Sequence, residues 1–316
     1  MGRLVGFDIG GTKCSVILGE ETESGIEILK KETISTDKNE SPEIIIDRLF
    51  NLTDKLAGND FKAVGVSCGG PLDSKTGVIK RPPNLPLWDD VHITDMISKR
   101  YNVPAHLQND ANACALAEWK LGAGKGTQNM VFFTFGTGLG AGLILDGKLY
   151  EGTNGNAGEA GHIRLSENGP VGYGKMGSFE GFCSGAGIAQ LGYSLGLEQY
   201  QKKNCPSYFN PSLPLGGATA KSIAEAAQNG DRTAISVYEK CGEYLGKGLS
   251  VIIDILNPER IVLGSVFARS SELLAESMNK VIAREALTAS AEVCKIVPAL
   301  LGESIGDFAA LITATV

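Results

Sequence analysis

A single carboxylate stands where an extended segment of the chain becomes a helix. Asp110 follows the extended run 103–107, and Ala113, Leu116 and Ala117 then recur at helical spacing until two glycines end the pattern. An aspartate near its ordinary pKa of about 4 is ionised at neutral pH, so it can take a proton from a substrate hydroxyl. Asp110 is therefore the candidate catalytic base, and the alternative is that it only caps this helix.

A glycine-rich turn between two apolar, strand-like runs opens the chain. The turn carries Asp8, Gly10, Gly11, Thr12 and Lys13. Two glycines allow backbone N–H groups to approach a ligand closely, and the hydroxyl and the cation that follow them suit a phosphate. The spacing is not that of a P-loop, so an ordinary hairpin turn remains the alternative.

The same design returns later in the chain. An apolar run at 130–135 leads into a glycine-rich turn that contains Thr137 and Gly138, and a second apolar run follows at 143–145. Two such hairpins predict two domains built alike, each presenting a phosphate-binding tip toward a shared cleft.

Other polar residues of interest lie in irregular, glycine-rich or proline-rich segments. Glu159 and His162 are three residues apart, which places them on one side of a helical turn, where they could bind sugar hydroxyls or a metal. The alternative for His162 is a structural role. In the proline-rich loop 81–88 we expect Asn84 to be available to a ligand and Trp88 to anchor the loop hydrophobically. The G-x-G-x-x-G match at 172–177 follows no strand, so a dinucleotide fingerprint is rejected.

The remaining segments form the scaffold. A helix at 41–57 begins with Ser41 as its cap, and Ile45, Leu49 and Leu52 belong to its buried stripe. Further elements are predicted as strands at 62–68, 260–264 and 295–300 and as helices at 221–228, 231–256, 270–287 and 307–315.

Composition narrows the range of partners and locations. The net charge of −7 provides no general basic field for nucleic acid or an acidic membrane, so small molecules are the expected partners. Seven scattered cysteines without a C-x-x-C pair suggest reduced thiols in a cytosol, and no apolar run reaches the roughly 20 residues of a membrane span. A cytoplasmic protein is expected.

Six ordered motifs resemble those of the ROK family of sugar kinases and sugar-responsive repressors, over nearly the whole chain. The family fold is similar to that of actin and hexokinase, so the resemblance implies an α/β protein with two actin/hexokinase-like (ribonuclease H-like) domains and a cleft between them. The expected domains are 1–117 with about 301–316, and 118–300. The motifs occupy residues 8–13, 83–86, 109–112, 136–140, 158–162 and 257–264.

The resemblance also implies roles for individual residues. Asp110 would take the proton from a sugar hydroxyl, and Asp8 would help to place Mg²⁺ through water. Sugar ligands are implied at Asn84, Asn109, Glu159, His162 and Glu180. Contacts to ATP are implied at Gly10, Gly11, Thr12, Lys13, Thr137, Gly138 and, near adenosine, Gly264.

Two departures from the family pattern matter. Many members bind a structural zinc through the histidine at the position of His162 and three cysteines, but the matching stretch here carries Val171, Tyr173 and Ser178. These side chains supply no thiolate, so no structural zinc is expected. Ser265 and Val266 stand where the family usually continues with glycine, which puts the adenosine contacts in question.

The leading hypothesis is a kinase that uses ATP and Mg²⁺ to phosphorylate a hexose, with glucose-type sugars first, or an N-acylhexosamine. A homodimer is expected because dimers are common in the family. One alternative is a catalytically inactive, sugar-sensing regulator of the same family. Direct DNA binding is not expected, since the chain has no room for a helix-turn-helix domain before Leu4. A second alternative to the kinase is an ATPase coupled to conformational work, which would not need Glu159, His162 and Glu180.

Overall fold

The chain is an alternation of helices and strands. A computed structural model describes residues 2–316. The strands are β1 (Arg3–Ile9), β2 (Lys13–Thr22), β3 (Gly25–Ser35), β4 (Ala63–Cys68), β5 (Leu72–Asp73), β6 (Val78–Ile79), β7 (Val91–His92), β8 (Ala105–Asn109), β9 (Met130–Phe133), β10 (Ala141–Leu145), β11 (Lys148–Leu149), β12 (Val171–Gly172), β13 (Lys175–Met176), β14 (Arg260–Leu263) and β15 (Lys295–Pro298). The α-helices are α1 (Pro42–Leu56), α2 (Ile93–Tyr101), α3 (Asp110–Leu121), α4 (Phe179–Phe182), α5 (Gly185–Gln201), α6 (Ala220–Gln228), α7 (Arg232–Leu256), α8 (Ser265–Glu285), α9 (Thr288–Val293) and α10 (Ile305–Thr313).

The chain divides into two compact units. The first unit consists of Met1–Gln128, Gly142–Ala157 and Leu300–Val316, and the second of Asn129–Ala141 and Gly158–Ala299. The domain boundaries expected from the resemblance, after residues 117 and 300, stay a prediction. None of the helices within residues 2–316 has the length and apolarity that crossing a bilayer requires.

A mixed sheet with the order β3-β2-β1-β4-β8 forms the centre of the first unit. Strands β1 to β3 are antiparallel neighbours, whereas β1, β4 and β8 run parallel. Because side chains alternate between the faces of a strand, Phe7 packs into the core that holds α1, and Leu4 faces Leu311 of α10. The parallel strands β1 and β8 end at Ile9 and Asn109, which places the first glycine-rich turn and the start of α3 at the same edge of the sheet.

Helix α10 lies unusually close to this sheet because glycines face it. A Cβ on Gly65 would lie 2.1 Å from the Ala310 carbonyl oxygen, and a Cβ on Gly6 would lie 2.8 Å from Ala310 Cβ. Neither position could carry a side chain without moving the helix. The close packing fixes α10 beside β1, the strand that carries Asp8.

In the second unit, strand β14 pairs in parallel with β9 on one side and with β15 on the other. The long helices α7 and α8 pack against one another, and a Cβ on Gly246 would lie 2.6 Å from the Met278 carbonyl oxygen. Strands β12 and β13 form a small antiparallel hairpin over residues 171–176. The G-x-G-x-x-G match is therefore a hairpin, and it does not join a strand to a helix as a dinucleotide site would.

Periodicity predicted most long helices correctly, with a few errors. Helices α1 and α7 match the predicted segments 41–57 and 231–256, and Asp231 caps α7. Ser41 stands at the N-cap of α1 but its side chain makes no capping hydrogen bond. Helix α8 begins at Ser265, before the predicted start at Ser270, and Ser270 has a non-helical φ of −136° inside it.

Candidate functional site

Asn109, and not Asp110, caps helix α3. The Asn109 side-chain oxygen accepts the N–H groups of Ala111 over 3.0 Å and Asn112 over 3.4 Å. Asp110 is the first helical residue, and its Oδ1 shares the Ala111 N–H over 2.8 Å. Asn109 therefore provides the cap that the alternative interpretation assigned to Asp110. The Asp110 carboxylate is left with a smaller structural role.

The Asp110 carboxyl has an altered acidity. Loss of hydration by burial raises its pKa above the ordinary value, and the hydrogen bond from Ala111 N–H partly opposes the rise. The residue as a whole keeps solvent exposure. A Cβ on Gly69 would lie 3.9 Å from Asp110 Oδ2, and one on Gly70 would lie 3.4 Å from Asn109 Nδ2.

Asp8 lies at the end of β1, within electrostatic reach of Asp110. Burial raises the pKa of the Asp8 carboxyl, and the nearby Asp307 raises it further, while Lys31 lowers it. Asp307 is itself nearly buried and forms an ion pair with Lys31 over 2.6 Å. A Cβ on Gly306 would lie 3.3 Å from Asp8 Oδ2, so the start of α10 touches this carboxylate.

The first glycine-rich turn is an ordered tip. Gly10 N–H donates to the Lys13 carbonyl over 3.1 Å, and Thr36 N–H donates to the Thr12 carbonyl over 2.9 Å. Thr12 and Lys13 are exposed. A Cβ on Gly11 would lie 2.5 Å from Asn84 Cβ, which brings the proline-rich loop against the tip.

Trp88 anchors that proline-rich loop, as predicted. The residue is 1% exposed and belongs to the core of the first unit. Its N–H donates to the Leu85 carbonyl, and its own carbonyl accepts Arg81 N–H over 2.6 Å. The anchored loop leaves Asn84 exposed beside Gly11.

In the second unit the second glycine-rich tip contacts Glu180. Leu139 N–H donates to Glu180 Oε2 over 2.9 Å, and a Cβ on Gly138 would lie 2.7 Å from the same oxygen. Gly185 N–H, at the start of α5, donates to the Gly136 carbonyl. A predicted sugar ligand and a predicted phosphate-binding tip are thus in direct contact, and Thr137 stays exposed between them.

Glu159 and His162 occupy the two ends of one 3₁₀ helix, Glu159–His162. Residues three apart eclipse one another in such a helix, so both project from the same side, as predicted. The Tyr173 ring meets the His162 ring edge-on at a centroid distance of 6.1 Å, and Lys175 Nζ donates to the His162 carbonyl over 2.6 Å. The β12–β13 hairpin therefore holds this turn through Tyr173 and Lys175.

The positions that would match zinc ligands have other partners. Ser178 accepts the Gly181 N–H as the cap of α4, and Tyr173 contacts His162 as described. Within residues 2–316, no three His, Cys, Asp or Glu side chains are grouped as a metal site would require. The expectation of a zinc-free protein stays a prediction.

Gly264 forms the junction between β14 and α8. A Cβ there would lie 2.8 Å from the Thr134 carbonyl oxygen, so only glycine fits beside the strand end. Ser265 follows with a left-handed φ of +36°, a conformation that costs a residue with a Cβ about 1–2 kcal/mol. The residue that departs from the family's glycine is thus held in a backbone shape that glycine would adopt freely.

The predicted site residues fall into two groups. The first unit brings together Asp8, the tip at 10–13, Asn84, Asn109 and Asp110, and the second unit brings together Thr137, Gly138, Glu159, His162 and Glu180. Gly264 lies in the second unit beside the strand that leads to its tip.

Several polar residues around Asp110 were not anticipated from the sequence. Gln108 bonds to the Asn109 backbone, Glu151 and Ser74 bond to one another, and Glu118 holds the chain at Leu300. Only Gln108 carried a signal, because it immediately precedes the Asn109–Asp110 motif. Ser74 and Glu151 come from segments far away in the chain, and Glu118 lies in the last turn of α3.

Comparison with known proteins identifies the family. The model of the ROK family matches residues 4–315. The chain belongs to the ROK family. It is 33% identical to a glucokinase of Thermotoga maritima over 274 residues, which is 86% of this chain and 84% of that protein. It is 31% identical to a glucokinase of Halalkalibacterium halodurans over 310 residues, or 96% of this chain and 92% of that protein.

A solved ROK structure shows the same fold. The glucokinase of Streptomyces griseus, in complex with glucose and AMPPNP, superimposes with a TM-score of 0.79 at 28% identity, covering 99% of each chain. The predicted fold class is confirmed: this ROK chain is an α/β protein with two actin/hexokinase-like domains.

Proposed function

We propose that this ROK protein is an ATP-dependent sugar kinase that phosphorylates a hydroxyl of a hexose, glucose first, or of an N-acylhexosamine. The observation that carries the proposal is the arrangement at the start of α3, where Asn109 caps the helix and Asp110 keeps an exposed carboxylate. Membership of the ROK family and the glucokinases among its relatives support the same reaction.

Asp110 is the proposed general base. Its carboxylate takes the proton from the sugar hydroxyl as the oxygen attacks the γ-phosphorus of ATP and the bond to ADP breaks. Burial raises the pKa of the Asp110 carboxyl, which makes its ionised form a stronger proton acceptor than an ordinary aspartate.

The other proposed ligands orient the sugar. Amide and carboxylate groups can each bond to sugar hydroxyls as acceptors, and the amides and His162 can also donate. The ligand set is Asn84, Asn109, Glu159, His162 and Glu180. Glu180 already accepts the Leu139 N–H, so it would bond to the sugar with its remaining lone pairs.

The two glycine-rich tips are proposed to bind the phosphates. Gly10, Gly11, Thr12 and Lys13 offer N–H groups, a hydroxyl and a cation, and the exposed Thr12 and Lys13 are accessible to a ligand. Thr137 and Gly138 act in the same way in the second unit, and Gly264 lies near the adenosine.

The residues around Asp8 fit a magnesium ion held through water. Mg²⁺ prefers carboxylate oxygens and retains several waters, and Asp8 offers a partly buried carboxylate near Asp110 and the phosphate-binding tip. The bound ion would spread the negative charge of the transferring phosphoryl group.

We further propose a cytoplasmic homodimer that binds neither nucleic acid nor membranes.

The deciding experiment measures ADP formation with Mg-ATP across a panel of hexoses and N-acylhexosamines. We expect sugar-dependent turnover that Asp110→Asn lowers by about 10²–10⁴-fold while sugar binding is retained. Asp95→Asn is the matched control because Asp95 is highly exposed on α2, and it should behave as the wild type. A sugar that raises the melting temperature without turnover would instead support the sugar-sensing regulator.

A further inference from the structure

We propose that Glu151, Gln108 and Ser74 form a positioning relay that fixes the turn carrying the catalytic base. None of the three is a catalytic residue; they act through the backbone and side chains beside Asp110. The inference rests on the proposed function, and it adds specific residues that control the geometry of that reaction.

The relay begins at one carboxylate oxygen. Glu151 Oε1 accepts the Ser74 hydroxyl over 2.6 Å and the Gln108 Nε2–H over 3.2 Å. A carboxylate has no proton to donate, so it accepts only from the NH₂ end of the Gln108 amide. Glu151 therefore accepts only one of the two orientations of this amide, the one that the Asn109 N–H also requires.

The oxygen of the Gln108 amide then accepts hydrogen bonds from residues on either side of Asp110. Gln108 Oε1 accepts the Asn109 N–H over 2.8 Å and the Asn112 side-chain amide over 3.3 Å. These partners lie one residue before and two residues after Asp110. The turn between β8 and α3 is thus held from both sides by a single side chain.

Burial makes the arrangement obligatory. Gln108 is 7% exposed and Asn112 is 2% exposed, so water cannot readily replace a lost hydrogen bond. If the Gln108 amide turned over, two oxygens would face each other at Glu151 and two N–H donors would meet at Asn109. Each mismatch leaves buried polar groups unsatisfied, and the turn would have to shift to relieve it.

The relay can be tested by exchanging acid and amide. Gln108→Glu places two carboxylates together, and we expect kcat to fall about tenfold or more with a smaller change in KM for ATP. Glu151→Gln keeps an acceptor oxygen for Ser74 and Gln108, so it should stay within about threefold of the wild type. The double variant Gln108→Glu/Glu151→Gln restores the pair, because the new amide donates to the new carboxylate, and it should recover kcat.

A second measurement separates this relay from the proposed kinase activity. Hydrogen exchange of the peptide 107–113 should become faster in Gln108→Glu and return to the wild-type rate in the double variant, whether or not the protein turns over sugar. Gln201→Glu, at the exposed end of α5, is the control for the substitution itself.

The outcomes separate cleanly. Failure of the double variant to recover both the exchange rate and kcat would overturn the relay. A wild type without sugar-dependent turnover but with rescued exchange would overturn the kinase and leave the positioning role in place. Equal losses of kcat and of melting temperature in every variant, without rescue, would reduce the three residues to ordinary structural contacts.

Discussion

The adjacent residues Asn109 and Asp110 have different roles at the start of α3. An asparagine and an aspartate are equally good helix caps, so either could have served. Asn109 takes the cap with its oxygen, and its Nδ2 lies beside Gly70. Asp110 stays solvent-exposed, and its carboxyl group is the proposed general base. One short motif can therefore supply both the helix cap and the proposed catalytic base.

The raised pKa values of Asp110 and Asp8 predict the position of the acid limb of the activity profile. Burial raises the pKa of both Asp110 and Asp8, so each carboxyl becomes protonated at a higher pH than an ordinary aspartate. As the pH falls through that raised pKa, Asp110 can no longer accept the sugar proton. We expect the midpoint of the acid limb of kcat/KM above the ordinary value of about 4.

The measurement is kcat/KM from pH 8 down to about 4, with tryptophan fluorescence showing the range over which the protein stays folded. A profile that stayed flat to pH 4 in folded protein would contradict the raised pKa values.

At the scale of elements, α3 is fastened at both ends by polar side chains. Glu118, in its last turn, is fully buried, and its carboxylate accepts Ala123 N–H over 2.7 Å, Leu300 N–H over 3.2 Å and Leu301 N–H over 2.8 Å. These N–H groups lie beyond α3 and at the start of the segment that leads into α10. One carboxylate thereby joins α3, which carries the proposed catalytic base, to the segment that precedes α10.

Removing this carboxylate should be costly to stability. Glu118→Ala removes the acceptor of three partly buried hydrogen bonds, and we expect a loss of about 3 kcal/mol in the free energy of unfolding. Glu118→Gln keeps one acceptor oxygen and should lose less. Urea denaturation with an unchanged m-value measures both, and equal stability of Glu118→Ala and the wild type would refute the role.

At the scale of the whole molecule, the stretch 171–178 around the β12–β13 hairpin has no cysteine at the three positions where the ROK pattern has zinc-binding cysteines. Tyr173 and Lys175 contact His162, and Arg164 donates to the Met176 carbonyl over 2.8 Å. A ring contact and hydrogen bonds offer this turn the support that a metal and its thiolates would otherwise supply.

Treatment that removes zinc should therefore not change the stability of the protein. We expect much less than one zinc per purified chain by elemental analysis, and no change in melting temperature after EDTA treatment in the absence of nucleotide, because Val171, Tyr173 and Ser178 supply no thiolate. Adding zinc afterwards is the control and should not stabilise the protein. Near-stoichiometric zinc that EDTA removes with a loss of stability would show that another ligand set exists.

Local patterns were sufficient for much of the scaffold. Helical spacing predicted α1, α3 and α7 because an amphipathic stripe, a cap and a terminating glycine or proline act within a few residues. Strand β3 escaped notice because only one of its faces is partly covered, so its residues show little apolar alternation. The predicted start of α8 at Ser270 coincides with a kink inside the helix, so the helical residues before the kink were missed.

By itself, the sequence identified the polar motifs, which consist of residues close together in the chain, and the resemblance of these motifs to the ROK family implied the family and the fold class. Only the tertiary structure decided how those motifs are held. The partners of Gln108 and Ser74 at Glu151 are 43 and 77 residues away, and Leu300 is 182 residues from Glu118. Such hydrogen bonds follow from the packing of β8, α3 and the C-terminal segment around one sheet, and no local rule of spacing or propensity encodes them.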